Sequence, residues 1–215
     1  MKSILHILSQ TISALLYPLL IPTYGIILFC LSFNTYRVAL PPVYWIITIS
    51  GTLILTFIIP LSLILIDIKR GHISDIYINN PAERTKSYIY TICCYAFWCY
   101  FLHSTIHAPI FLTISGIGAT IALICVTIIN RKWKISAHMT GWGGLLGGIA
   151  SACLFYGIIM PTGYIIGLSA MTILLMWARI YVQAHTANQT TAGLLLGLSF
   201  TSLPYITIET VITNV

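Results

Sequence analysis

The run His107–Ile129, HAPIFLTISGIGATIALICVTII, contains no Asp, Glu, Lys or Arg. At about 20 residues of helix it crosses the roughly 30 Å hydrocarbon core of a bilayer, and it lacks the alternation of an outer-membrane strand. Working outward, comparable windows lie near residues 11–33, 43–67, 86–105, 138–159, 161–178 and 189–208, the sixth in chain order being the shortest. The expected fold is therefore all-α, a polytopic transmembrane helix bundle of six to seven spans. Composition agrees: 58% of the 215 residues are hydrophobic and 7% charged, and mean hydropathy is +0.95. A soluble domain of this size could not bury so much apolar surface. One transmembrane domain, residues 1–215, is expected, with no low-complexity tract or internal repeat.

The N-terminal segment MKSILHILSQTISALLYPLLIPTYGIILF could be weighed as a signal peptide, but Pro18, Pro22 and the want of a small-residue cleavage site favour a first span. Pro18, Pro22 and Pro60 are expected to kink their helices. Tight joints around His103–His107 and Met160–Gly163 imply helical hairpins. GWGGLLGG at 141–148 and the pair Gly193 and Gly197 are small-xxx-small patterns that bring helices close. Tyr44, Trp45, Tyr77, Tyr88, Trp133, Trp142 and Trp177 read as interfacial anchors. Cys30, Cys93, Cys94, Cys99, Cys125 and Cys153 lie in apolar stretches and read as small hydrophobes.

The formal charge is +6, from ten Lys and Arg against Asp67, Asp75, Glu83 and Glu209. The cations sit between apolar spans and form no solvated basic stripe, which points to anionic lipid and away from nucleic acid. With seven spans and the N-terminus on side A, that side carries Lys2, Lys69, Arg70, Arg84, Lys86, Arg131, Lys132, Lys134 and Arg179. Only Arg37 lies opposite. The positive-inside rule makes side A cytoplasmic. If Arg84, Lys86, Arg131, Lys134 and Arg179 instead bind an anion, Lys2, Lys69, Arg70 and Lys132 still outnumber Arg37. The expected location is a multi-pass protein of a bacterial inner membrane.

His138 and His185 fall at the same face as those cations. The stretch Arg179–Gly197, RIYVQAHTANQTTAGLLLG, sets Arg179 and His185 six apart and continues with Gln189, Gly193 and Gly197 at steps of four. That spacing places His185, Gln189, Gly193 and Gly197 on one helix face. Guanidinium groups bind phosphate bidentately, ammonium groups add point charge, and a near-neutral imidazole serves as nucleophile or proton donor. A lipid phosphate fits that chemistry. His6, His72, His103 and His107 read as structural. The i, i+4 pair His103 and His107 could ligate haem or metal, yet no further His or acid accompanies it, so no cofactor is expected.

These residues resemble the type-2 phosphatidic acid phosphatase superfamily, integral membrane lipid phosphatases. Its third motif is Ser-Arg, five residues, His, three residues, Asp; here Ala178-Arg179, His185 and Gln189 hold those positions. Its second, Pro-Ser-Gly-His, is similar to Ile135-Ser136-Ala137-His138. Its first, Lys, six residues, Arg-Pro, is echoed by the loop holding Lys69, Arg70, Arg84 and Lys86. The likeness spans roughly residues 69–200. It implies His185 as nucleophile, His138 as general acid, and Arg179, Ser136, Arg84 and Lys86 as phosphate ligands, with Lys134 a substitute cation. Arg84 and Lys86 sit outside a true first-motif frame. Gln189 stands where the family has an acid that accepts the nucleophile's Nδ1 proton and supplies negative charge. Gln can do the first and not the second, unless Asp75 or Glu83 reaches His185. The activity implied is hydrolysis of a lipid phosphate or diphosphate. The alternative is a non-catalytic binder or transporter of anionic lipid, and a haem or quinone protein is a third.

Overall fold

The computed structural model describes residues 4–33, 40–74, 78, 81–156 and 159–213, and among these every regular element is helical. In chain order they are α1 (Ile4–Leu15), α2 (Ile21–Phe33), α3 (Pro42–Leu53), α4 (Ile59–Lys69), α5 (Pro81–Tyr100), α6 (Ile110–Ile129), α7 (Ala137–Tyr156), α8 (Thr162–Tyr181) and α9 (Ala187–Thr213). Lys2, Arg37, Asp75 and Tyr77 lie outside the described residues.

Among the described residues four helical stretches are long and apolar enough to cross a membrane: Ile4–Leu31, Pro42–Lys69, Ile110–Ile129 and Thr162–Tyr181. Seven was the expectation. Composition accounts for part of the difference, since Glu83, Arg84 and Lys86 open α5 and glycines dilute α7, while the side chains of α9 are described only as far as Ser202. The window expected to be shortest forms α8, a full 20 residues.

Two of the three prolines act as sequence chemistry requires. Tyr17 is held extended at φ −63°, ψ 135° before Pro18, and a single 3-10 turn, Pro18–Leu20, separates α1 from α2. Pro60 follows a π turn, Ile54–Ile58, that joins α3 to α4. The wider turn makes room where the proline ring would crowd the carbonyl four residues back. Thr56 in that turn donates to the Leu19 carbonyl at 3.2 Å, locking the two irregular turns together. Pro22 sits in the first turn of α2, where no N–H is missed. A second π turn, Phe101–Thr105, closes α5. The chain then reverses through His107 in the left-handed region, φ 50°, before α6. Between α7 and α8 the described residues resume at 159, with Pro161 immediately before α8.

The tightest pair is α7 against α9. A Cβ on Gly193 would meet the Ser136 carbonyl at 2.6 Å, and one on Gly197 would meet the Thr140 carbonyl and, at 2.7 Å, the Gly144 nitrogen. Gly143 and Gly147 receive the Leu194 and Leu198 backbone in return. The obstacles are main-chain atoms that cannot turn aside. Gly197→Ala is therefore expected to destabilise the fold by about 3 kcal/mol, measured as a large drop in thermal unfolding temperature in detergent.

Outward faces are apolar, with Ile46, Ile117, Ile121, Ile128, Ile166 and Ile173 exposed, while Thr48, Thr52, Thr56, Thr190 and Thr201 are buried. That inversion suits a lipid surround. Two tryptophans expected at the interface are core residues instead. Trp142 is 4% exposed and donates to Thr172 Oγ1 at 2.7 Å, and Trp45 is 5% exposed. Trp133 is exposed at 41%.

Candidate functional site

Three connections meet at one end of the bundle. The first is the α8–α9 turn. The last turn of α8 carries Arg179; Gln183 then adopts φ 54°, and the amides of Ala184 and His185 fold back onto the Arg179 carbonyl at 3.2 and 3.3 Å. The six-residue spacing of Arg179 and His185 is thus a closed turn. His185 precedes α9, so the expectation that it shares a helix face with Gln189, Gly193 and Gly197 is corrected. Those three lie on α9; Gly193 and Gly197 pack on α7, and Gln189 belongs to the cap described below.

The second is the α6–α7 connection. The Lys134 carbonyl lies 3.1 Å from His185 Nδ1. A carbonyl only accepts, so Nδ1 carries the proton and Nε2 keeps its lone pair. Ser136 N donates to the Gln189 carbonyl at 3.3 Å, a further tie between the two connections. The third is the start of α5, where Arg84 is buried. Its Nε donates to the Ile78 carbonyl and its Nη1 to Asn130 Oδ1, each at 3.1 Å.

A cavity of about 1040 Å³ opens from this end into the bundle, lined there by Arg84, Lys134, His138, Arg179, His185 and Tyr17. Among the described residues no Asp or Glu lines it. Arg179 Nε is buried there without a hydrogen-bond partner among the described residues, and Asn130 Nδ2, behind Arg84, is likewise without one. His138, in the first turn of α7, places Nε2 3.2 Å from the Ser13 carbonyl and its ring edge-on to Tyr17, centroids 5.8 Å apart. Its Nε2 is therefore the protonated nitrogen, satisfying a carbonyl at the C-terminal end of α1.

Burial, followed by the charge of Arg179, lowers the His185 pKa to about 4; the Lys134 carbonyl pulls weakly the other way. The imidazole is neutral across the physiological range. Lys134 is lowered too, by burial and then by Arg84 and Arg179. Cations crowd one another here with no carboxylate among the described lining residues, so each raises the cost of charging the next.

Three expected site residues do other work. Gln189 Oε1 accepts from the Thr186 amide at 3.1 Å while Thr186 Oγ1 accepts from the Gln189 amide at 3.4 Å. That reciprocal pair is a capping box at the N-terminus of α9. The His185 Nδ1 proton, expected on Gln189, rests on the Lys134 carbonyl. Ser136, fully buried, caps α7 by accepting from the Met139 amide at 3.4 Å, and it does not line the cavity. Lys86 pairs with Asp67 at 2.7 Å, in a cluster with His72 and Tyr90 that ties α4 to α5. It too lies outside the cavity lining. Glu83 accepts from Ser74 N and Oγ at 2.9 and 2.8 Å, which commits it away from His185.

Gln189→Ala is accordingly expected to leave any turnover within about threefold while costing about 1 kcal/mol of stability. Steady-state rates beside a melting curve check this.

Asn130, Ser13 and Tyr17 are site neighbours that the sequence reading passed over. Asn130 adjoins Arg131 at the same expected face, which was the available signal; for Ser13 and Tyr17, on an apolar N-terminal segment, there was none. Among the described residues no group of three or more His, Cys, Asp or Glu is placed to hold a metal ion. Comparison with protein-family models, curated proteins and solved structures gives no match.

Proposed function

We propose that this chain is a membrane lipid phosphatase, hydrolysing a lipid phosphate or diphosphate through a phosphohistidine at His185. The observation that carries the reading is the meeting of the His138 and His185 imidazoles with Arg84, Lys134 and Arg179 at the mouth of one cavity, with no carboxylate among the described lining residues. The resemblance of Arg179, His185 and His138 to the motifs of type-2 phosphatidic acid phosphatases supports it.

In the proposed reaction the cations hold the phosphate and His185 Nε2 attacks phosphorus in line. A P–N bond forms as the P–O bond to the lipid breaks. A phosphate monoanion brings a proton that His138 takes up and returns to the leaving oxygen. Water then attacks phosphohistidine as the P–N bond breaks, and His138 accepts its proton and passes it to the departing inorganic phosphate, which restores both imidazoles. The acid that usually steadies the nucleophile is replaced by the Lys134 carbonyl, which fixes the tautomer but adds no full negative charge. Turnover is correspondingly slow.

A non-catalytic binder of anionic lipid is the second reading, favoured by the lack of a described acid beside His185. The proposal further puts α1–α2, α3–α4, α5, α6, α7, α8 and α9 across a bacterial inner membrane as seven segments, with the site on the cytoplasmic face by charge bias. The test is phosphate release by the purified chain from a panel of lipid phosphates and diphosphates. Release from at least one is expected; none, beside saturable lipid-phosphate binding, favours the binder.

The neutral state of His185 has its own check. By NMR titration it is expected to stay neutral until pH falls to about 4, and Arg179→Met should move that midpoint upward toward 6.5 by removing a cation. For stability the sign follows: the unfolded chain takes up this proton near 6.5 and the native chain near 4. The native state therefore loses stability as pH falls through that window, and this group adds no further loss below it.

A further inference from the structure

The cavity is far deeper than a phosphate needs. On α7 its lining runs from Ala137 to Ala152 and on α6 from Val126 to Phe111, fifteen helical steps in each case and roughly 22 Å at 1.5 Å per step. One end holds the cations; the other is closed by Phe29, Trp98 and Phe111. Between them the walls are apolar or small, including Ile21, Ile26, Leu145, Gly144 and Ala119. Deep in the bundle the space is bounded by elements in contact, α2 with α7, α6 with α7, α5 with α6, α2 with α3 and the Ile54–Ile58 turn with α5, while its lining also takes in Gln10 and Thr11 of α1. The side chain of Leu145 lies 3.3 Å from where a Gly25 Cβ would stand, and Ser115 Oγ lies at the same distance from a Gly148 Cβ.

We infer that the site takes a lipid phosphate bearing a single hydrocarbon chain, which it draws into the bundle and away from the bilayer. The inference rests on the proposed phosphate site for its head group. An extended chain advances roughly 1.2 Å per bond, since three backbone bonds span about 3.5 Å, so the cavity accommodates about sixteen to twenty carbons. The driving force is not escape from water, because the bilayer is equally apolar; it is the filling of a space whose lining atoms otherwise lack partners. A two-chain glycerolipid fits poorly, because its second chain meets the α2–α7 and α6–α7 contacts.

The experiment uses the full chain and a twenty-carbon single-chain phosphate with a photoreactive group at the chain end, the crosslinks mapped by peptide mass spectrometry. The expected result is labelling on interior residues near Trp98, Phe111 and Ala152, and at least tenfold less of it with a phosphatidate carrying the same group on one chain. Ala119→Phe, halfway down the cavity, should reduce interior labelling at least tenfold. Ile121→Phe, on the exposed face of the same helix, should not. Labelling confined to outward residues such as Ile117, Ile121 and Ile128, or no response to Ala119→Phe, would overturn the inference. Equal interior labelling by the phosphatidate would overturn its single-chain class. The readout needs no turnover. Interior labelling without phosphate release defeats only the phosphatase reading, and release with outward labelling defeats only this one.

Discussion

His185→Ala abolishes phosphate release, with an expected fall of at least ~10³-fold in kcat, while lipid-phosphate affinity stays within a few-fold of the native chain. The separation follows from geometry. In the proposed reaction Arg84, Lys134 and Arg179 hold the phosphate, and His185 is neutral beside them, so its removal takes no charge from that cluster. The bond-making nitrogen goes with it. Turnover and equilibrium binding measured on one preparation decide the point; full activity in His185→Ala removes the nucleophile from the account.

Arg179→Met has the opposite profile in the unliganded protein. The guanidinium is half-buried, its Nε has no hydrogen-bond partner among the described residues, and Arg84 and Lys134 stand nearby with the same charge. An unsatisfied buried donor costs about 1–3 kcal/mol, and an uncompensated charge adds to that. Methionine fills similar volume without either penalty, so the apo protein is expected to melt at the same or a higher temperature. Affinity for phosphate should nonetheless fall about 10²- to 10³-fold, since a bidentate charge-assisted pair contributes about 3–4 kcal/mol. Melting curves with and without inorganic phosphate separate the two effects. The native chain gains stability on adding phosphate, and Arg179→Met does not. A variant that melts earlier and still responds to phosphate would make Arg179 a packing residue. Such an exchange of stability for binding is common at functional sites.

The helices were legible because apolar runs of spanning length are hard to place anywhere but in lipid, and Pro18 announced its own break. The π turns were not, since a single inserted residue leaves the hydropathy pattern untouched. The convergence of Arg84, Lys134, His138, Arg179 and His185 followed from which loops share an end of the bundle, a topological inference that needs no side-chain detail. Individual roles needed it. Thr186-Ala187-Asn188-Gln189 is a capping-box pattern on its face, but the four-residue steps to Gly193 and Gly197 suggested a chemical stripe and masked it. Lys86 was counted as a phosphate ligand because its partner, Asp67, lies on a different helix, where no local spacing reveals the pair. The deep cavity was invisible as well, being made by small residues on several helices that look like ordinary packing positions one at a time.

The central claim is covalent. Brief mixing of the purified chain with a lipid phosphate, an alkaline quench that preserves phosphoimidazole, and peptide mass spectrometry report where the phosphoryl group rests. The account predicts one acid-labile phosphoryl group on the peptide containing His185, and none in His185→Ala. Steady phosphate release with no such adduct, or an adduct on another residue that survives in His185→Ala, would contradict it.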